Sequence, residues 1–251
     1  MAGGAPRWLL IGNSRWHWAE GPNEADDSGP GAAQAIRQCW SESPPSGLLL
    51  QQPEAWAAVG PVPASAGLDP ARRVVVAQVP LALTPPWLGI DRALAGWQAW
   101  REGGTPVLVA DGGTVLSLTR VDGQGRFAGG RLIAGAALQL RAMGAGTEQL
   151  PMLAPDHWSG LQASDGRWPQ GTREAMAIGV LEGLAAALDR AACQVRAVEP
   201  GCELWLTGGD AELLLPLLVR APGGGGPWQH QPSLCLDGLA ALAALRPGPN
   251  P

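Results

Sequence analysis

Two short apolar runs, each followed at once by a glycine turn, place the strongest constraint on the fold of this chain. Residues 107–110 are followed by Asp111-Gly112-Gly113-Thr114, and residues 8–11 are followed by Gly12-Asn13-Ser14. In both places an alternating stretch follows, which is typical of a strand that pairs back through a tight turn. Helical patterns come next in both halves. The repeated order of strand, glycine turn, hairpin and helices predicts a duplicated α/β unit rather than a solenoid, which would need more and shorter repeats.

Composition narrows the class of protein. The chain has 251 residues, of which 46% are hydrophobic and 16% charged, so it can form one large or two modest domains with real cores. A net charge of −5 without any basic run argues against a general nucleic-acid binder. The apolar runs are too short to span a membrane, and the first residues lack the features of a signal peptide. We therefore expect a cytoplasmic protein.

The absence of lysine excludes several ways of handling phosphate. All 17 basic residues are arginine, so a P-loop, a protein-kinase-like site and Schiff-base chemistry are all excluded. A site that handles phosphate in this chain must use backbone amides, hydroxyls, arginine and metal ions. Two glycine turns facing each other across a cleft can cradle the phosphates of one nucleotide, because glycine permits close backbone approach. A third turn, Thr207-Gly208-Gly209, precedes a helix whose N-terminus can receive a nucleotide.

Periodicity and turn residues predict the individual elements. Helices are predicted at residues 32–40, 91–102, 136–146, 172–198, 211–221 and 238–245, and strands at 8–11, 15–20, 55–64, 72–80, 106–110, 114–121, 126–133 and 203–207. The turn Asp122-Gly123-Gln124-Gly125 joins two of these strands as a hairpin.

The four cysteines as a set allow two interpretations, and so does His17. In a cytoplasmic chain, the four cysteines are expected to be buried thiols, since none forms a C-x-x-C pair. A zinc site is the alternative, although its spacing matches no familiar pattern; it would use Cys193, Cys202, His230 and Cys235. His17 lies between two tryptophans on an alternating strand, which favours packing, with a nucleotide contact as the alternative.

The motifs together carry a family resemblance. These motifs are GNS, GIDR, DGGT, GG-x4-G, T-x-x-LP, GT-x-x-A-x-x-x-G and TGG. Through them the chain resembles type III pantothenate kinase, of the actin-like/acetate-kinase superfamily. The resemblance extends from Gly12 to Leu239, and its most specific parts are Gly89–Arg92 and Asp111–Pro151. It implies an α/β fold of two duplicated actin-like (ribonuclease H-like) domains with a nucleotide cleft between them. We place these domains at residues 1–103 and 104–251, with the final helix packed back on the first.

The resemblance also implies roles for individual residues. Asp91 is the base that faces the substrate hydroxyl, and Asp111 holds a monovalent cation, potassium or ammonium. The residues implied in ATP binding are Gly12, Asn13, Ser14, Arg15 and Thr114. Those implied in pantothenate binding are Gly89, Ile90, Asp91, Arg92 and Thr172. From local sequence alone, Asp91 reads instead as a helix N-cap, because it stands just before a helical pattern.

The family pattern is not complete in this chain. The family's usual aspartate two residues before the first glycine is Leu10 here, and Ala134 replaces a proline. The motif TAxLP becomes TEQLP, and the chain has no tyrosine to match the one that often precedes GxDR. These departures affect magnesium placement and substrate affinity.

The activity that the resemblance implies is ATP-dependent phosphorylation of pantothenate, the first step of coenzyme A biosynthesis, by a homodimer with magnesium on ATP. Two alternatives stay open. One is another small-molecule kinase of the superfamily, and the other is a non-catalytic regulator that binds pantothenate or nucleotide. Both Asp91 and Asp111 favour an enzyme, whereas Leu10 favours the regulator.

Overall fold

The computed structural model describes residues 4–22, 36–49, 51–154, 168–220 and 225–246. The chain divides into two compact units. The first unit comprises Met1–Gly104, Gly125–Phe127 and Ser233–Pro251, and the second comprises Thr105–Gln124 and Ala128–Pro232. In the described parts of the chain, no helix has the length and apolar character that crossing a membrane requires.

The first unit is built on a four-stranded mixed sheet. Its elements are the strands β1 (Arg7–Ile11), β2 (Trp16–Glu20), β3 (Gln38–Glu42) and β4 (Ala55–Ala58) and the helices α1 (Ile90–Gly103) and α5 (Leu234–Leu245). The strand order is β3-β2-β1-β4, with β1 antiparallel to β2 and parallel to β4. Leu9 and Ile11 are fully buried on one side of the sheet together with three tryptophans. The two helices pack closely at Gly238, where a Cβ atom would lie 2.7 Å from the Leu94 carbonyl oxygen.

In the second unit, the described residues form a five-stranded sheet and three helices. Its elements are the strands β5 (Val107–Gly112), β6 (Val115–Val121), β7 (Phe127–Ala134, whose first residue lies in the first unit), β8 (Glu203–Thr207) and β9 (Trp228–His230) and the helices α2 (Ala136–Gly146), α3 (Thr172–Val198) and α4 (Ala211–Arg220). The strand order is β7-β6-β5-β8-β9, and β8 runs parallel to both of its neighbours. The apolar side of α3, from Met176 to Val195, forms the core of this unit with β5, β6 and β8.

Three predictions of secondary structure are wrong at least in part. The strand predicted at residues 55–64 ends at Ala58, since Pro61 and Pro63 cannot donate to a strand ladder. Residues 38–40, predicted as part of a helix, lie in strand β3, because they pair with β2 and the Trp40 ring stacks on Trp18 at 6.0 Å. Residues 72–80, predicted as a strand, form only one bridge, from Arg73 to Trp56. There the chain turns, since the Val75 amide donates to the Gln78 side chain. In the rest of that predicted helix, residues 36 and 37 lie in neither helix nor strand. Residues 32–35 lie outside the described residues, as does His157.

Candidate active site

The first glycine turn joins β1 to β2 in the first unit. The Gly12 amide donates to the Arg15 carbonyl oxygen at 2.9 Å, which closes the turn, and Asn13 and Ser14 are exposed at its tip. A Cβ atom at Gly60 would clash with the Gly12 carbonyl oxygen, so a second glycine lets the following chain pass directly beneath the turn. The turn therefore presents accessible backbone, as the predicted phosphate contact requires.

Helix α1 begins within the GIDR motif. Gly89 is the N-cap residue, and Asp91 lies inside the first turn, so the interpretation of Asp91 as the N-cap residue is wrong. The Asp91 carboxylate accepts a hydrogen bond from the Arg92 amide at 2.8 Å. A Cβ atom at position 89 would clash with that carboxylate, and glycine therefore makes room for it.

The Asp91 carboxyl is partly buried at the start of α1. Burial raises its pKa above the ordinary value, while the amide and the charge of Arg92 act in the opposite direction. A carboxylate with a raised pKa binds a proton more readily than an exposed aspartate does, which suits proton abstraction near neutral pH. Next to it, Ile90 is buried.

Arg92 is unusually buried for an arginine. It is only 7% exposed, and its guanidinium lies 6.0 Å from the ring centroids of both Trp87 and Phe127. Burial lowers the pKa of Arg92, and the Asp91 charge opposes that effect. Trp87, by contrast, is 68% exposed. A cation held between aromatic rings, with an exposed ring at its edge, is suited to bind an anionic or polar substrate group.

In the second unit, three glycine-containing segments meet where β5 ends. The Asp210 amide donates to the Gly112 carbonyl oxygen at 2.9 Å, and the Gly135 amide donates to that of Thr114 at 3.0 Å. Gly208 has φ +89°, and a Cβ atom there would clash with the Asp111 carboxylate and with the Gly112 carbonyl oxygen. The Thr207-Gly208-Gly209 turn thus lies directly against the DGGT turn.

Asp210 is a residue of this cluster that sequence reasoning missed. A Cβ atom on Gly112 would lie 3.2 Å from the Asp210 Cβ atom. Burial raises the pKa of Asp210, and a hydrogen bond from the Ala136 amide at the start of α2 acts against that rise. The only sequence signal was its position directly after the third glycine turn. Thr172, the remaining predicted residue of this unit, is exposed at the first position of α3.

Two oxygen atoms lie against Gly208 at this point. The Asp111 carboxylate and the Gly112 carbonyl oxygen both crowd against Gly208, and oxygen ligands are those that hard cations prefer. In the first unit, Leu10 is only 7% exposed within β1 and cannot ligate a metal. A divalent ion bound to ATP would therefore depend on water and phosphate rather than on position 10.

The zinc alternative has no support in the described residues, which contain no group of three or more potential histidine, cysteine or acidic ligands. The expectation of four buried thiols is also wrong in part. Cys202 and Cys235 are buried, but Cys39 and Cys193 are exposed. Burial raises the pKa of Cys202 to about 11, which keeps that thiol protonated and unreactive.

Known proteins match this chain over most of its length. The family model for type III pantothenate kinase matches residues 73–194, a segment that contains Gly89–Arg92, Asp111, Thr114 and Thr172. The type III pantothenate kinase of Synechococcus elongatus is 35% identical over 247 residues, which cover 94% of this chain and 95% of that protein. The chain belongs to the type III pantothenate kinase family. The family member from a Synechocystis species is 31% identical over 97% of this chain and 91% of its own.

Solved structures resemble this family member in fold. A Campylobacter jejuni protein described as a Baf family transcriptional activator has a TM-score of 0.60 at 15% identity, over 95% of this chain and 98% of its own. The ethanolamine utilization protein EutJ of Carboxydothermus hydrogenoformans has a TM-score of 0.51 at 14% identity, over 97% and 90%. The likeness concerns the fold alone, and with the two mixed sheets it confirms the predicted actin-like α/β class.

Proposed function

We propose that this chain is an active pantothenate kinase, which transfers the γ-phosphoryl group of ATP to the primary hydroxyl of pantothenate. The product is 4'-phosphopantothenate, and the reaction is the first step of coenzyme A biosynthesis. The observation that carries the proposal is the Asp91–Arg92 pair at the start of α1: a partly buried carboxylate with a raised pKa beside a buried arginine. The pair lies within the segment that the family model matches.

Asp91 acts as the base in this proposal. Phosphoryl transfer has a loose transition state, so the enzyme mainly positions the reactants and neutralises charge. The carboxylate accepts a hydrogen bond from the substrate hydroxyl, orients its oxygen toward the γ-phosphorus, and takes the proton late in the transfer. Arg92 binds the substrate, and its packing against Trp87 and Phe127 fixes the guanidinium in one place. Gly89, Ile90 and Thr172 complete the proposed pantothenate contacts.

The nucleotide is held mostly by backbone and hydroxyl groups. Gly12, Asn13, Ser14 and Arg15 contact the phosphates from the first unit, and Thr114 contacts ATP from the second. Magnesium enters with ATP and offsets its charge. We assign a potassium or ammonium ion to Asp111, where it would supply the positive charge that a chain without lysine lacks. A homodimer and a cytoplasmic location complete the proposal.

The test is a coupled assay of ADP release with pantothenate as acceptor, with and without potassium. We expect ADP release that requires pantothenate and rises with potassium. ADP release with another small alcohol or with a carboxylic acid as acceptor, but none with pantothenate, would indicate a different kinase of the superfamily.

One observation favours a second candidate, a non-catalytic protein that binds pantothenate or nucleotide as a regulator. Leu10 is a buried apolar side chain at the position where the family usually has an acid. Because magnesium keeps several waters and often needs few protein ligands, we expect activity with a high magnesium requirement rather than none. Bound pantothenate without turnover at any magnesium concentration would establish the regulator instead.

A further inference from the structure

His17 lies next to the first glycine turn, on the strand that follows it. In the antiparallel pairing of β1 with β2, His17 stands opposite Leu10. Directly opposite residues project to the same side of a sheet. The polar ring of His17 therefore lies on the same side of the sheet as the apolar side chain of Leu10.

One edge of the His17 ring is fixed by strand β3. The ring nitrogen Nδ1 lies 2.8 Å from the Ser41 hydroxyl oxygen, and His17 and Ser41 are cross-strand partners. The Ser41 carbonyl oxygen also accepts a hydrogen bond from the Arg15 guanidinium at 2.8 Å. Ser41 thus anchors both side chains that flank the end of the turn.

The other edge of the ring lies against the turn itself. A Cβ atom on Gly12 would lie 3.3 Å from His17 Nε2 and 3.5 Å from Cδ2, so glycine at this position gives the ring its place. No described residue forms a hydrogen bond with Nε2. A polar ring atom beside a turn of exposed backbone is available to a ligand that occupies that turn.

The protonation state of the ring suits a donor. Burial, and to a smaller extent the Arg15 charge, lower the pKa of His17, so the imidazole is neutral at physiological pH. In a neutral imidazole one nitrogen donates and the other accepts. When the Ser41 hydroxyl donates to Nδ1, the proton of the ring is on Nε2 and points to the turn.

We propose that His17 is a further nucleotide-binding residue, whose Nε2–H donates a hydrogen bond to a phosphate oxygen of ATP at the Gly12 turn. The inference rests on the proposed function, since it takes the turn as a phosphate site. It adds an imidazole donor to the backbone and side-chain groups that residues 12–15 provide, in a chain with no lysine. The Arg15 guanidinium donates one hydrogen bond to the Ser41 carbonyl oxygen, so Ser41 holds both Arg15 and the imidazole beside the turn.

Two substitutions of His17 distinguish the roles of its two ring nitrogens, Nδ1 and Nε2. In His17→Gln the side-chain amide nitrogen can occupy the place of Nε2, whereas in His17→Asn the amide can replace only Nδ1. We expect His17→Asn to weaken ATP binding about ten- to hundredfold, the range typical of a hydrogen bond to a charged group. We expect His17→Gln to bind ATP within a few-fold of the wild type. The KM for pantothenate should be the same in both variants as in the wild type.

The measurement is calorimetric titration of ATP, ADP and adenosine into the full-length wild type and both variants, with thermal unfolding as the control for folding. The expected loss in His17→Asn is found with ATP and ADP and absent with adenosine, because the contact is to phosphate. If the ring serves only to bond Ser41, the order of the variants is reversed, with Gln impaired and Asn unimpaired. That order, or equal affinity for ATP in all three proteins, overturns the proposal.

The outcomes also separate this inference from the proposed function. If the wild type binds ATP with the predicted variant pattern but does not phosphorylate pantothenate, the kinase assignment fails and the role of His17 stands. If the wild type phosphorylates pantothenate and His17→Asn binds ATP as tightly, the role of His17 fails alone. A wild type that binds no nucleotide overturns both.

Discussion

The predicted site residues fall in two regions that differ in what they offer a ligand. In the first unit, the region around the Gly12 turn and the start of α1 carries ionisable side chains whose pKa values are shifted by burial: His17, Asp91 and Arg92. In the second unit, the end of β5 is held by backbone hydrogen bonds from Gly135 and Asp210, Gly208 packs against it, and burial raises the pKa of the Asp210 side chain. In the proposed function, Asp91 of the first region takes the proton, and the second region binds nucleotide and cation.

The largest effect is expected from Asp91→Asn. Asparagine keeps the size of the side chain but cannot accept the proton, so kcat should fall on the order of a hundredfold or more. The dissociation constant of ATP should stay within a few-fold of the wild type. Steady-state kinetics and ATP titration measure the two quantities. The control is Asp69→Asn, at an exposed aspartate in the same unit that caps a short turn; near wild-type turnover in Asp91→Asn would remove the catalytic role.

The rigidity of the second region is tested by the neighbouring pair Gly208→Ala and Gly209→Ala. At position 208 the backbone has φ +89° and a Cβ atom would clash with the Asp111 carboxylate, whereas nothing lies within 4 Å of a Cβ atom at position 209. We expect Gly208→Ala to lower the free energy of unfolding by about 1–3 kcal/mol. ATP affinity should fall with it, and Gly209→Ala should leave the free energy of unfolding unchanged. Urea denaturation and ATP titration check both; equal behaviour of the two variants would contradict this description of the turn.

A smaller effect concerns the cation proposed at Asp111. Wild-type activity should rise on addition of potassium or ammonium and stay low in sodium alone. In Asp111→Ala the response should disappear, because the carboxylate that offsets the ion's charge is gone. Rates measured in a series of chloride salts at constant ionic strength provide the test. A wild-type rate that is indifferent to the cation would remove this role from Asp111.

The smallest effect is on stability, and it has the opposite sign to the loss of activity. Because the folded-state pKa of Asp91 is raised, its contribution to stability is complete below the unfolded pKa and is lost as pH rises through the folded pKa. At neutral pH the ionised carboxylate therefore costs stability, and Asp91→Asn should unfold at a higher denaturant midpoint than the wild type. The difference should shrink as the pH becomes mildly acidic. A variant less stable than the wild type at neutral pH would show that Asp91 is structural.

Local signals predicted the elements that depend on local sequence. Helices α1 and α3 follow from their apolar periodicity, and the β6–β7 hairpin follows from its turn, where the Asp122 carboxylate accepts from the Gln124 amide and Gly125 has φ +71°. Strand β3 was missed because its identity depends on pairing with β2, in which Trp40 stacks on Trp18. A single sequence does not reveal that pairing.

The candidate site shows the same division. The glycine turns and the GIDR motif could be found from sequence, because glycine is required wherever the backbone passes close to other atoms. The burial of Asp91 could not, since it depends on the packing of α1 in the folded unit. The approach of Asp210 to Gly112 follows from the parallel pairing of β5 with β8, which sets Asp111 beside Thr207 across a long separation in sequence.

The proposal that Asp91 is the base in phosphoryl transfer from ATP to pantothenate can be tested directly. The most direct measurement is ³¹P NMR of ATP and pantothenate incubated with wild type and with Asp91→Asn, in potassium and magnesium. With the wild type we predict a phosphomonoester signal that grows as the γ-phosphate signal declines, and on the order of a hundredth of that rate or less with the variant. Equal rates of phosphomonoester formation by the two proteins, or no phosphomonoester from a wild type that binds both ATP and pantothenate, would contradict the claim.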